Sequence, residues 1–132
     1  MESEKQQEII MKFSMYEQQT QHLNKQLQAI EEGIVEMNSL NFGLDEIKGS
    51  KGKEILSPLG RGVFAKTKLE SEDLMVDIGN KKFVKKSIPD TKKIISEQIQ
   101  KLEEVQKEIQ NKLEELDKEL RGLIKQIHSD RK

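Results

Sequence analysis

Apolar residues spaced seven apart near both ends of the chain constrain its fold more than any other feature. Ile9, Tyr16, Leu23, Ile30, Met37 and Leu44 form one series, and Phe13, Leu27 and Ile34 supply the alternate positions. In the C-terminal third Ile95, Ile99, Leu102, Gln106, Ile109, Leu113, Leu116, Leu120, Leu123 and Ile127 step by four and three without a slip. A repeat averaging ~3.5 residues returns side chains to one side of a helix, so each series is a stripe that needs a partner. The two stripes fit as antiparallel partners. One register sets Ile9 opposite Ile127, Phe13 opposite Leu123, Tyr16 opposite Leu120, Leu23 opposite Leu113, Leu27 opposite Ile109 and Ile34 opposite Leu102. Thr20 and Gln106 are the polar residues expected in that seam, where such a group selects register at some loss of stability. Each arm of roughly 35 to 40 residues would run about 55 to 60 Å.

A two-helix seam is narrow, and composition offers no larger core: of 132 residues 36% are charged and 4% aromatic. The expected organisation is one domain over 1–132, with a first coil helix at 1–48, a central segment at 49–89 and a second coil helix at 90–132. Cysteine is absent, which excludes a disulfide framework and thiolate chemistry. No run of 18 apolar residues occurs, and the start lacks the basic-then-apolar pattern of a signal peptide. A soluble, cytoplasmic chain with no membrane partner is expected. The net charge of −1 hides a partition, for residues 1–47 carry nine acids and three bases while residues 48–89 carry ten bases and five acids. Solvated faces explain this, and so does electrostatic steering of particular partners.

Between Gly49 and Pro89 the rhythm changes from seven to two. After a polar exit at Gly49-Ser50-Lys51-Gly52-Lys53, expected to be flexible, four strands are predicted: Glu54 to Ser57, Gly62 to Leu69, Leu74 to Ile78 and Lys82 to Ser87. Pro58 to Gly62, Glu70 to Asp73 and Gly79-Asn80 supply the reversals. Two linked hairpins result, and an even number of strands returns the chain beside its point of departure. Ser87-Ile88-Pro89-Asp90 has the spacing of a capping box with proline in the first turn. The fold class is therefore α+β, a long antiparallel two-helix coiled coil carrying two central β-hairpins. Four short strands cannot bury their apolar side on a seam already in use, so the hairpins are expected to assemble with those of other subunits into a shared β body. Val63, Phe64, Ala65, Leu69, Leu74, Val76, Ile78, Phe83 and Val84 are the candidate assembly residues.

Apolar residues off the seam mark where something else touches the coil. Val35, Leu40, Phe42 and Ile94 are expected to pack the root of the coil on the sheet. Ile10, Met11, Met15 and Ile124 have no such neighbour; an interaction surface, a frayed end and tip-to-tip dimerisation all fit them, and methionine suits a surface that accepts many shapes. Catalysis finds no footing. His22 and His128 read as exposed coil residues, no metal, cofactor or nucleophile motif is present, and Gly49 to Lys53 lacks the spacing of a phosphate loop. The run Lys81-Lys82-Phe83-Val84-Lys85-Lys86 has one aromatic and no second basic stripe beside it, which argues against nucleic acid; lysines also blunt sheet edges.

Helix, two hairpins and helix in this order resemble the alpha subunits of the prefoldin family. Met15-Tyr16-Glu17-Gln18-Gln19 and Leu23 to Ile30 look like the family's Gln-rich opening, and Glu54 to Lys66, with Pro58 and Gly60-Arg61-Gly62, looks like its strand-turn-strand signature. Met75 to Lys81 is similar to the second hairpin, though Gly79-Asn80-Lys81 replaces the usual G-x-G and leaves the turn type open. The resemblance implies a hexamer of two alpha and four beta subunits, with a double β-barrel body and six protruding coils. It also implies a non-enzymatic, ATP-independent, cytoplasmic chaperone without cofactor or metal, whose coil tips hold non-native client proteins and pass them to a group II chaperonin. Carried over to this chain, the client contacts would be Ile9, Ile10, Met11, Phe13, Met15, Tyr16, Ile124 and Ile127. A structural coiled-coil adaptor that binds one specific folded partner is the rival reading.

Overall fold

The computed structural model describes residues 2–130, so residues 1, 131 and 132 of the expected helices lie outside it. Helix α1 (Glu2–Ile47) is followed by strands β1 (Glu54–Gly60), β2 (Val63–Lys68), β3 (Leu74–Gly79) and β4 (Lys82–Lys86), and then by helix α2 (Ile88–Asp130). The two helices run antiparallel, and the hairpins are two separate two-stranded sheets, β1 with β2 and β3 with β4.

Residues up to Ile34 together with those from Lys101 onward form one compact unit, and Val35–Gln100 forms a second. In the first unit the seven-residue rhythm reappears as burial. Ile9, Ile109 and Leu123 are buried, the other seam positions and Gly33 are half-buried, and the other described residues between them are exposed. Gly33 shows how tightly the helices approach, since a methyl group added there would meet Leu102 Cδ1 at 3.6 Å. That neighbour falls within one residue of the register expected for Ile34. Thr20 answers its own polarity: its hydroxyl donates to the Tyr16 carbonyl at 2.8 Å, one turn back.

In the second unit Leu44, Ile88 and Ile95 make a buried cluster, with Met37, Ile47, Leu74 and Ile99 packed against it. Leu74 is the strand residue in this group, so β3 is the strand that reaches the helical core. Lys92 pairs with Asp45 across the two helices. The start of α2 is capped as expected, although it begins at Ile88 rather than Asp90: the Asp90 amide donates to Ser87 Oγ at 3.2 Å, and the Thr91 hydroxyl to the Ser87 carbonyl at 2.8 Å.

Four expectations need correction here. Val35, Leu40 and Phe42 do not pack on the sheet but stand exposed; Val35 and Phe42 lie on the side of α1 away from Leu44, whereas Leu40, one turn before Leu44, is exposed at the margin of that stripe; Ile94 is half-buried. Asn41 is a further polar seam residue, one heptad beyond Ile34, and its Oδ1 is buried with no hydrogen-bond partner among the described residues. The exit from α1 is tied down rather than loose: the Ser50 amide bonds the Ile47 carbonyl, the Gly52 amide the Leu69 carbonyl, and the Leu69 amide the Lys53 carbonyl, at 2.7 to 3.0 Å. Finally, β1 runs past Pro58 to Gly60, so the first turn is tighter than the sequence suggests.

Both hairpins turn in the same way. Gly60 pairs with Val63 and Gly79 with Lys82, which leaves two-residue loops at Arg61-Gly62 and Asn80-Lys81. All four loop residues have positive φ, at 50° and 80° in the first loop and 53° and 59° in the second, the mirror-image turn that matches strand twist. Ahead of each loop the register slips by one residue, at Leu59 and at Ile78. The Asp77 carboxylate accepts from the Gly79 amide at 2.8 Å and steadies the second slip. Lys81 thus takes the conformation that glycine holds at Gly62, which closes the question left by the missing G-x-G.

Candidate functional site

The heptad repeat dictates which tip residues are available. Ile9 serves the seam and is 6% exposed, while its neighbours Ile10 and Met11 are turned outward and are 63% and 66% exposed. Met15, one turn beyond Met11, and Ile124, next to buried Leu123, are also exposed. Phe13, Tyr16 and Ile127 are half-buried. Of the eight residues expected to meet a client, the structure therefore presents Ile10, Met11, Met15 and Ile124 to solvent and uses Ile9 to hold the helices together. Uncovered side chains of this kind, with no charge of their own, favour contact with other apolar groups, and the thioethers adapt to varied shapes.

Tyr16 sits between two open grooves of about 370 and 390 Å³. One is lined by Gln19, Leu23, Lys112, Glu115, Leu116 and Glu119, and the other includes Lys12, Lys118, Glu119 and Gly122. Both are shallow and open, with lysine and glutamate side chains among their walls, unlike the enclosed apolar pocket that holds a small ligand. His22 is exposed and lies 3.2 Å from Gln26, an ordinary neighbour one turn away. Among the described residues no group of histidine, cysteine and carboxylate side chains is placed to hold a metal ion, and no helix is long and apolar enough to cross a membrane.

The hairpins carry the second candidate surface. Val63, Phe64, Ile78, Phe83 and Val84 are exposed, while Ala65, Leu74 and Val76 are half-buried on alternate positions. Leu69 is half-buried just past the end of β2. Leu56, Leu59 and Met75 join the exposed set without having been expected. Two of them could have been found from strand alternation, because Leu56 shares a side with Phe64, and Met75 with Phe83. Leu59 could not, since a register slip places it. Val105 on α2 is exposed too and lies off the heptad positions.

Known proteins share this arrangement. The family model described as prefoldin subunit matches residues 16–129. The chain is 30% identical over 89 residues to the prefoldin subunit alpha of Methanosphaera stadtmanae, a match covering 67% of this chain and 64% of that protein. It is 29% identical over 82 residues to the prefoldin subunit alpha of Methanobrevibacter smithii, covering 61% and 56%. In both cases the match spans less than two thirds of the relative's length. Among solved structures, the filamentous PFD of Methanocaldococcus jannaschii, determined by cryo-EM, resembles the chain with a TM-score of 0.74 at 21% identity, over 86% of this chain and 95% of that one.

Proposed function

The chain belongs to the prefoldin family, with the fold of its alpha subunits, and from that premise we propose that it captures non-native proteins at the free ends of its two helices. Prefoldin is a family of non-enzymatic chaperone subunits, and the proposal assigns this chain the same ATP-independent work in the cytosol. The observation that carries it is the outward set of Ile10, Met11, Met15 and Ile124 beside the buried seam residues Ile9 and Leu123. A coil that only joined two helices would keep those positions polar.

Capture by such a tip is weak taken singly. In the proposed assembly, two copies of this chain and four beta subunits join through their hairpins, with Val63, Phe64, Ile78 and Phe83 among the residues covered. Several tips then act on one client through effective concentration, and none needs high affinity. Release requires no nucleotide where a group II chaperonin competes for the client or for the tip.

Replacing Ile10, Met11 and Met15 together by serine tests the assignment. These positions are exposed, so stability should shift by no more than about 0.5 kcal/mol per site. Suppression of aggregation of several unrelated denatured proteins should fall at least severalfold while the complex keeps its mass. Undiminished suppression would remove the tip from the mechanism, and saturable binding of one native protein alone would favour a coiled-coil adaptor.

A further inference from the structure

The outward side chains at the free end of the coil are built partly of sulfur. Met11 and Met15 stand one turn apart on one side of α1, with Cβ atoms ~5 to 6 Å from each other, and they are 66% and 54% exposed. Ile9 and Leu123, which close the seam beside them, are buried and carry no sulfur. Met37 is half-buried against the root cluster, and Met75, though exposed, belongs to the second hairpin. The sequence has neither cysteine nor tryptophan. No thiol of its own therefore competes for an oxidant, and exposed thioethers are the groups that a peroxide oxidises first.

We infer that Met11 and Met15 form a modification site at which a peroxide switches client capture off and methionine sulfoxide reduction switches it on again. The thioether sulfur gives two electrons to hydrogen peroxide: the O–O bond breaks, one oxygen stays on sulfur as a sulfoxide, and the other leaves as water. A dithiol reverses the step, becoming a disulfide while the sulfoxide oxygen departs as water. In the free chain both side chains are already in water, so the new S–O dipole costs the fold little. Against a client the same dipole loses its water and meets an apolar surface in place of a hydrogen-bond donor. Capture bears the loss, while the seam at Ile9 and Leu123 stays closed. Such a switch requires capture at the tip as proposed above and adds control of that same site.

The test oxidises the assembled full chain partially with dilute hydrogen peroxide and mixes it with a denatured client. Client-bound and free complexes are separated, and peptide mass spectrometry measures the sulfoxide at each methionine in both. Met11 and Met15 should oxidise several times faster than Met37, and their sulfoxides should be at least severalfold scarcer in the bound fraction, with Met75 sulfoxide divided evenly. Full oxidation should lower suppression of aggregation severalfold at unchanged helix content, and methionine sulfoxide reductases with a dithiol should restore it. Sulfoxide at positions 11 and 15 shared equally between bound and free complexes, oxidation there no faster than at Met37, or a loss that reduction does not reverse overturns the switch and leaves capture standing. An unoxidised complex that binds no client overturns both.

Discussion

The helical seam and the hairpins keep their shape by different means. Along the helices side chains do the work: Ile9, Leu44, Ile88, Ile95, Ile109 and Leu123 are all buried, and each sits where the heptad repeat aims it at the partner helix or the root cluster. No strand residue is buried to that depth. The hairpins are held instead by backbone geometry, with two mirror-image turns, two register slips, and cross-strand contacts such as the 2.6 Å bond between the Ser57 and Thr67 hydroxyls. A region ordered by burial is complete in itself, whereas one ordered by its turns still displays its apolar side chains. That difference is why the proposed assembly joins subunits through the strands and not through the seam.

The same substitution in the two regions should separate them most sharply. Ile95→Ala removes a side chain 3% exposed in the root cluster and should lower the unfolding free energy by about 2 to 4 kcal/mol. Ile78→Ala, at a residue 59% exposed in the second hairpin, should change it by less than about 0.5 kcal/mol under dilute conditions. Urea titration followed by circular dichroism measures both, and equal losses would erase the distinction. Backbone chemistry should matter more in the hairpin. Lys81→Gly relieves a non-glycine residue held at a φ of 59° and should raise stability by about 1 kcal/mol; a fall would mean that the lysine side chain contributes more than its backbone loses. A gain of similar or smaller size is expected on the helices. Nothing lies within 4 Å of a methyl group built at Gly122, so Gly122→Ala should stabilise α2 by roughly 0.5 to 1 kcal/mol through helix propensity alone. A destabilised Gly122→Ala protein would point to an occupant of the groove beside Tyr16.

Periodicity made much of the molecule legible in advance. Seven-residue spacing located both helices, two-residue spacing located four strands to within a few residues, and Ser87 marked the start of α2. The misses have separate causes. Leu59 and Ile78 sit at register slips, where the alternation of sides is interrupted, so sequence spacing misplaces what they face. Val35 and Phe42 were expected under the sheet because an apolar residue off the seam seems to need a neighbour, yet β3 reaches the helices through Leu74 and leaves that side of α1 open. Asn41 leaves no mark in the spacing of apolar residues, because a buried amide on a heptad position interrupts that pattern without adding one of its own. At the tip, spacing set Ile9 in the seam and Ile10 and Met11 apart from it, and the structure buries the first and exposes the other two.

Taken alone, the order of residues determined which stretches are helix and strand, which stripe of each helix must be hidden, and where the chain turns. Those are local or periodic properties, written into neighbouring residues. Only the folded chain decided that Lys81 adopts a glycine's conformation, that Leu74 of β3 packs against the helical core, and which apolar side chains remain in solvent. Each of these depends on what residues distant in sequence leave uncovered, and exposure is a property of the packed whole that no spacing rule contains.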